Sequence, residues 1–174
     1  MKFKKFTSAL IAVAINTAAF GALVYTGQEL KAQEVEKDFI EYQAQEMNCL
    51  ALNIYFETHA VSLVDAMSVS DVVLNRVMSK RFPDSICDVL HQGFKPGKRS
   101  CQFSWYCDGK HDMPYDNDAW EKSRKYARDM YLSNQYRGIT EGATHYHAHW
   151  MKAYWAPSMH RIARMGSHIF YRED

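Results

Sequence analysis

Glu57 lies in the stretch NIYFETHA, residues 53–60, directly behind Ile54, Tyr55 and Phe56. Phe39, Gln43, Met47, Leu50, Ile54 and Glu57 recur at spacings of three and four, which places the carboxylate on the same broad helix face as Leu50 and Ile54. A carboxyl desolvated on such a face holds its proton more tightly and can protonate a leaving oxygen near neutral pH. At the solvated edge of the stripe the same residue would instead cap or pair near the next helix. The local sequence permits both.

Three further groups carry chemistry. His145, His147 and His149 alternate in THYHAHW, so one strand face could present three imidazoles to an ion. No HExxH helix or acid pattern accompanies them, and neither a metal nor another cofactor is expected. Asn75 and Arg76 follow the apolar run DVVL: Asn75 could bond a sugar amide or fix the adjoining loop, and Arg76 suits a helix end or a partner acid. Gln102, Phe103 and Trp105 lie in CQFSWYC, which combines an amide with the flat apolar faces that a saccharide groove needs. Phe103 would serve equally as a core plug.

The elements that must position these groups are mostly helical. One helix covers 34–58. A second starts after Ser62, with Asp65 completing a capping box and Ala66, Val69, Val73 and Val77 as its core stripe. Pro83 is placed to open a short third helix carrying Ile86, Val89 and Leu90. Residues 91–117 form a long loop or set of turns. Asp116 or Asn117 caps a further helix that packs through Trp120, Ala127 and Met130. Period-two segments follow in THYHAH and HIFYR, with Gly166 permitting the turn before the latter. The expectation is an α+β domain, mainly helical with a small β element.

Length and charge bound the rest. A chain of 174 residues, 47% hydrophobic, suits one compact domain. Lys2, Lys4 and Lys5 precede a run without formal charge from Thr7 to Tyr25, so residues 1–33 read as a signal peptide or an uncleaved membrane anchor, leaving 34–174 as the exported domain. Its location is then periplasmic or extracellular, tethered to the cytoplasmic membrane if the segment is retained. Without residues 1–32 the formal charge turns from +1 to -2, which gives a polyanion no basic patch and excludes nucleic acid as the expected partner. A monomer is expected. In an oxidising compartment Cys49, Cys87, Cys101 and Cys107 allow two disulfides in three pairings. Cys101 with Cys107 is the expected pair, closing the tryptophan loop, whereas Cys49 could remain a buried thiol.

NIYFETHA, then VVLNRVMSKRFPDSICDVL, CQFSW, GATHYHAHW and IARMGSHIFYR, in that order over residues 46–172, resemble the SleB-like cell wall hydrolases, a family of spore-cortex-lytic and related bacterial or phage enzymes. The resemblance implies a lysozyme-like fold that acts on peptidoglycan glycan strands between N-acetylmuramic acid and N-acetylglucosamine. It implies Glu57 as the catalytic acid of a lytic transglycosylation, and Tyr146 and His147 on a substrate-side strand. The family often places a second glutamate four residues after the first, with a glycine before it; here those positions are Val61 and Ala60. A two-carboxylate hydrolysis needs that partner. The alternatives are a non-catalytic peptidoglycan-binding relative and a hydrolytic muramidase.

Overall fold

The computed structural model describes the backbone of residues 4–98 and 101–173, with side chains from Gln28 onward. The expected signal or anchor segment, residues 1–33, has most of its side chains outside the described residues. Among the described residues no helix is long and apolar enough to cross a membrane.

Helix α1, Lys4–Thr58, begins well before the predicted start. The chain divides into two units, Met1–Gln43 and Ala44–Asp174. In the first unit Val35, Phe39 and Ile40 are exposed, Phe39 by 57%. The predicted stripe is therefore a core stripe only from Leu50 and Ile54 onward, both fully buried.

In the second unit α2, Leu63–Val77, starts where the capping box predicts: Ser62 Oγ accepts from Asp65 N at 3.0 Å and donates to Asp65 Oδ2 at 2.6 Å. Ala66, Val69 and Val73 are fully buried against α1 residues Leu50 and Ile54 in the main apolar cluster. Helix α3, Ile86–His91, opens at Ser85 rather than at Pro83. Its first amides have a dedicated acceptor, since Ile86 N and Cys87 N both donate to the buried Glu46 carboxylate. Helix α4, Asn117–Ser133, is capped by Asp116 and buries Ala127 and Met130 as expected.

Three antiparallel strands complete the unit in the order β1-β3-β2: β1 His145–Ala148, β2 His160–Met165 and β3 His168–Arg172. β1 and β3 are the two period-two segments. The sequence reading missed β2, an edge strand whose arginines face outward. Tyr146 pairs with Phe170 across the sheet, so its ring meets the small cluster of Val72, Ala143 and Phe170 as well as the main core. Two disulfides, Cys49–Cys87 and Cys101–Cys107, staple α1 to α3 and close the tryptophan loop.

Candidate active site

Glu57 occupies the last turn of α1. Thr58 Oγ1 donates back to Ile54 O at 2.7 Å and accepts from Ala60 N, while His59 and Ala60 both take φ of 49°. The chain thus turns away from the helix immediately beyond the carboxyl. Asn53 lies four residues earlier, on the same face.

Part of the Glu57 side chain reaches the surface, but its carboxyl is closely surrounded. Burial lifts its pKa from 4.5 to about 7, against the opposing pull of the Tyr146 hydroxyl and the Arg76 charge. A carboxyl so tuned is about half protonated at neutral pH.

Arg76 is buried between two rings, its guanidinium carbon 5.2 Å from the centroids of both Phe82 and Phe103. Its Nε donates to Thr144 O at 2.7 Å. Burial brings its pKa down to about 10, with Tyr146, Glu57 and Glu173 acting in the other direction, so it stays a cation at neutral pH. Tyr146 reaches the same place from β1. Burial, followed by the charge of Glu57, pushes its hydroxyl well above the usual tyrosine range.

The polar accounting around Glu57 is incomplete. Among the described residues, the buried side-chain polar atoms without a well-formed hydrogen bond are Asn53 Nδ2, Arg76 Nη1, Gln92 Oε1 and Tyr146 Oη. Three of these four belong to the residues gathered about this one carboxyl. Buried donors without acceptors are costly, and their concentration marks a site prepared for an oxygen or an anion.

The other predicted site residues divide. Trp105 is buried rather than lining an open groove: it stacks on Phe56 at 5.0 Å and donates Nε1–H to Asn53 Oδ1 at 3.2 Å. Phe103 is buried under Arg76, as the plug reading has it. Gln102 is exposed, and its backbone N–H donates to Gln92 O. Asn75 commits its polar atoms to the loop after α4, donating to Thr140 Oγ1 and Ala143 O and accepting from Arg137, so a direct sugar contact gives way to loop fixing. His147 stacks on Tyr171 and bonds its hydroxyl at 3.0 Å. His145 meets Thr144, while His149 meets Ser167 O; the three imidazoles have separate hydrogen-bond partners. Among the described residues no group of three or more His, Cys, Asp or Glu is arranged around an ion.

Asp65, the nearest acid downstream in sequence, is committed elsewhere. Burial favours its protonated form, but bonds from Ser62, Ser167 and His168 outweigh that and hold its carboxyl below the usual range. Val61, at the position of the family's second glutamate, is 84% exposed. A separate groove, lined by Met47, Asn48, Arg124 and Arg128 between α1 and α4, does not include Glu57. Sequence reasoning missed Asn53, although its place one turn before Glu57 was visible, and Tyr115, an exposed ring that bonds His59 at 3.3 Å.

A family model described as cell wall hydrolase matches residues 62–171 and begins five residues after Glu57. The catalytic domain of the germination-specific lytic transglycosylase SleB from Bacillus anthracis aligns in structure with a TM-score of 0.54 at 24% identity, over 73% of this chain and 93% of that one. The catalytic domain of Bacillus cereus SleB aligns with a TM-score of 0.56 at 24% identity, over 73% of this chain and 89% of that one. No curated protein matches the chain.

Proposed function

This chain belongs to the cell wall hydrolase family, and from that premise we propose that it is a lytic transglycosylase whose one proton-transfer group is Glu57. The bond cut joins N-acetylmuramic acid to N-acetylglucosamine in peptidoglycan. The observation that carries the reading is a desolvated carboxyl, poised near neutral pH beside a buried cation, with the nearest acid downstream in sequence tied into a hairpin.

Protonated Glu57 donates to the glycosidic oxygen as the bond from muramoyl C1 to that oxygen breaks, leaving charge on the sugar ring. The muramoyl 6-hydroxyl then attacks C1, and its proton passes to the Glu57 carboxylate. The products are a 1,6-anhydromuramoyl end and a free 4-hydroxyl on N-acetylglucosamine, and the enzyme regains its starting protonation state. One group that alternates between acid and base suffices, whereas hydrolysis by two carboxylates needs a second acid in place. The description of the like-folded Bacillus anthracis domain as a lytic transglycosylase supports the same reaction class. Residues 1–33 serve in this reading as the export signal or membrane tether, with residues 34–174 as the catalytic domain.

Residues 34–174 incubated with purified wall, without added metal, are expected to release muropeptides lighter by one water than hydrolytic products. Release dominated by reducing muramic acid would assign the chain to the hydrolytic muramidases instead. No release with retained wall binding would make it a binding relative.

A further inference from the structure

The part of α1 that lies in the first unit carries an apolar seam of its own. Ala32, Val35, Phe39 and Tyr42 follow one another at spacings of three, four and three, the alternation that keeps side chains on one stripe of a helix and marks the a and d positions of a coiled coil. Val35 is 65% exposed, and Phe39 is exposed beside it. With Lys31, Ala32 and Glu36 they line an open, almost wholly apolar groove along the helix. Lys31 and Glu36 stand on its two edges, at the g and e positions of the heptad. Among the described residues the ion pair of this segment is Lys37 with Glu41, on the opposite face.

We propose that the same seam of a second copy of this chain occupies the groove, the two helices running parallel and in register. The charges on its edges choose this occupant. In a parallel pair a g residue meets the e residue five positions on in the other helix, which is the relation between Lys31 and Glu36, so the opposite charges meet twice, once on each edge. With the seams matched in the antiparallel sense, Glu36 would face Glu36 and Asp38 would face Asp38 of the second copy, and like charges would meet instead. A membrane surface fits less well, because residues 28–43 hold five acidic and two basic side chains, whereas helices that lie on anionic lipid are rich in Lys and Arg. Parallel pairing lets both copies of the second unit leave the pair at the same end. A parallel dimer then takes the place of the expected monomer, and it needs nothing from the role of Glu57.

The test is disulfide trapping in the full chain, purified in mild detergent, whose own four cysteines are already paired within the fold. Val35→Cys and Phe39→Cys each replace an exposed seam residue and are expected to give a covalent dimer on mild oxidation. Lys37→Cys, on the face turned away from the seam, is expected to trap at least about tenfold more slowly, since its sulfurs lie out of bonding reach. Charge reversal reads the edges: in the Val35→Cys chain, Lys31→Glu should lower the trapping rate, and Lys31→Glu with Glu36→Lys should restore it. No dimer from either seam position, or equal rates at 35, 37 and 39, overturns the inference. A mixture of the Val35→Cys and Phe39→Cys chains that traps faster than either alone overturns the parallel register, and a loss that the double reversal fails to restore overturns the charge pairing.

Discussion

Gly166 approaches Asp65 so closely that a Cβ built on it would lie 2.3 Å from Asp65 Oδ1. The contact lets the β2–β3 turn bring Ser167 N and Oγ to the same carboxylate oxygen, at 2.8 and 2.7 Å, and so pins the hairpin to the start of α2. Gly166→Ala must displace that carboxylate and also strain a φ of 54°. A loss of at least about 2 kcal/mol is expected. Gly138→Ala is the control, since φ there is 84° but no atom lies within 4 Å of the added Cβ. Its cost is the backbone strain alone, about 1 to 2 kcal/mol. Equal losses in urea melts of the two variants would show that the close approach carries no energy.

Arg76 supplies the positive charge that offsets part of the desolvation of Glu57. Arg76→Met removes the charge, so the Glu57 midpoint should rise above about 7 and the alkaline limb of the pH–rate profile should move up with it. Arg76→Lys keeps a cation and should keep the limb in place. Both lose the bond to Thr144 O and should be less stable, by about 1 to 3 kcal/mol. A limb that stays put in Arg76→Met, measured on protein that still gives a native circular dichroism spectrum, would remove Arg76 from the electrostatics of the site.

The two disulfides are expected to separate stability from activity. Cys49–Cys87 spans 38 residues and Cys101–Cys107 spans 6. Loop-closure entropy assigns about 4 kcal/mol to the first and about 2 kcal/mol to the second. Cys49→Ala with Cys87→Ala should therefore lower the melting temperature more. Cys101→Ala with Cys107→Ala frees the loop that carries Trp105, and should cost more turnover per kcal/mol of stability lost. Calorimetry paired with muropeptide release decides it, and the reverse ordering in either measurement contradicts the assignment.

What could be read from the chain before folding was what lies within a few residues of its own signal. The Ser62–Asp65 cap and the Asp116 cap are local hydrogen bonds, and the period-two segments that became β1 and β3 carry apolar residues that must face a core. β2 carries Arg161 and Arg164 on an edge and has little such pattern to show. The start of α3 depends on Glu46, forty residues away, accepting from its first amide. Asn75 read as either a sugar ligand or a loop fixer because nothing local indicates that Thr140, Ala143 and Arg137 would claim it. Arg137 and Thr140 are themselves placed by Asp71, fully buried under Arg137, Gly138 and Thr140. Glu57 was legible as an acid on an apolar face, while the groups that act on it, Arg76 and Tyr146, came from α2 and β1.

Glu57→Gln separates the cost of the carboxyl from its use. Its pKa is about 7 in the folded chain against 4.5 as the reference for the unfolded one, so between those values the native state keeps a proton that the unfolded state has lost. Stability then falls as pH rises through that window. The full shift corresponds to about 3 kcal/mol, and the part of the side chain that reaches solvent reduces this to about 1 to 2 kcal/mol. Glu57→Gln has no such proton and should show little slope from this site, becoming more stable than the parent at pH 8 relative to pH 5. Turnover should move the other way. The amide cannot transfer the proton, so muropeptide release should fall at least about 100-fold while circular dichroism and glycan binding persist. The parent's own activity should decline above pH 7 as the donor form is lost. Undiminished release by Glu57→Gln would exclude Glu57 as the donor, and an unchanged slope of stability against pH would show that its carboxyl is not desolvated in the folded chain.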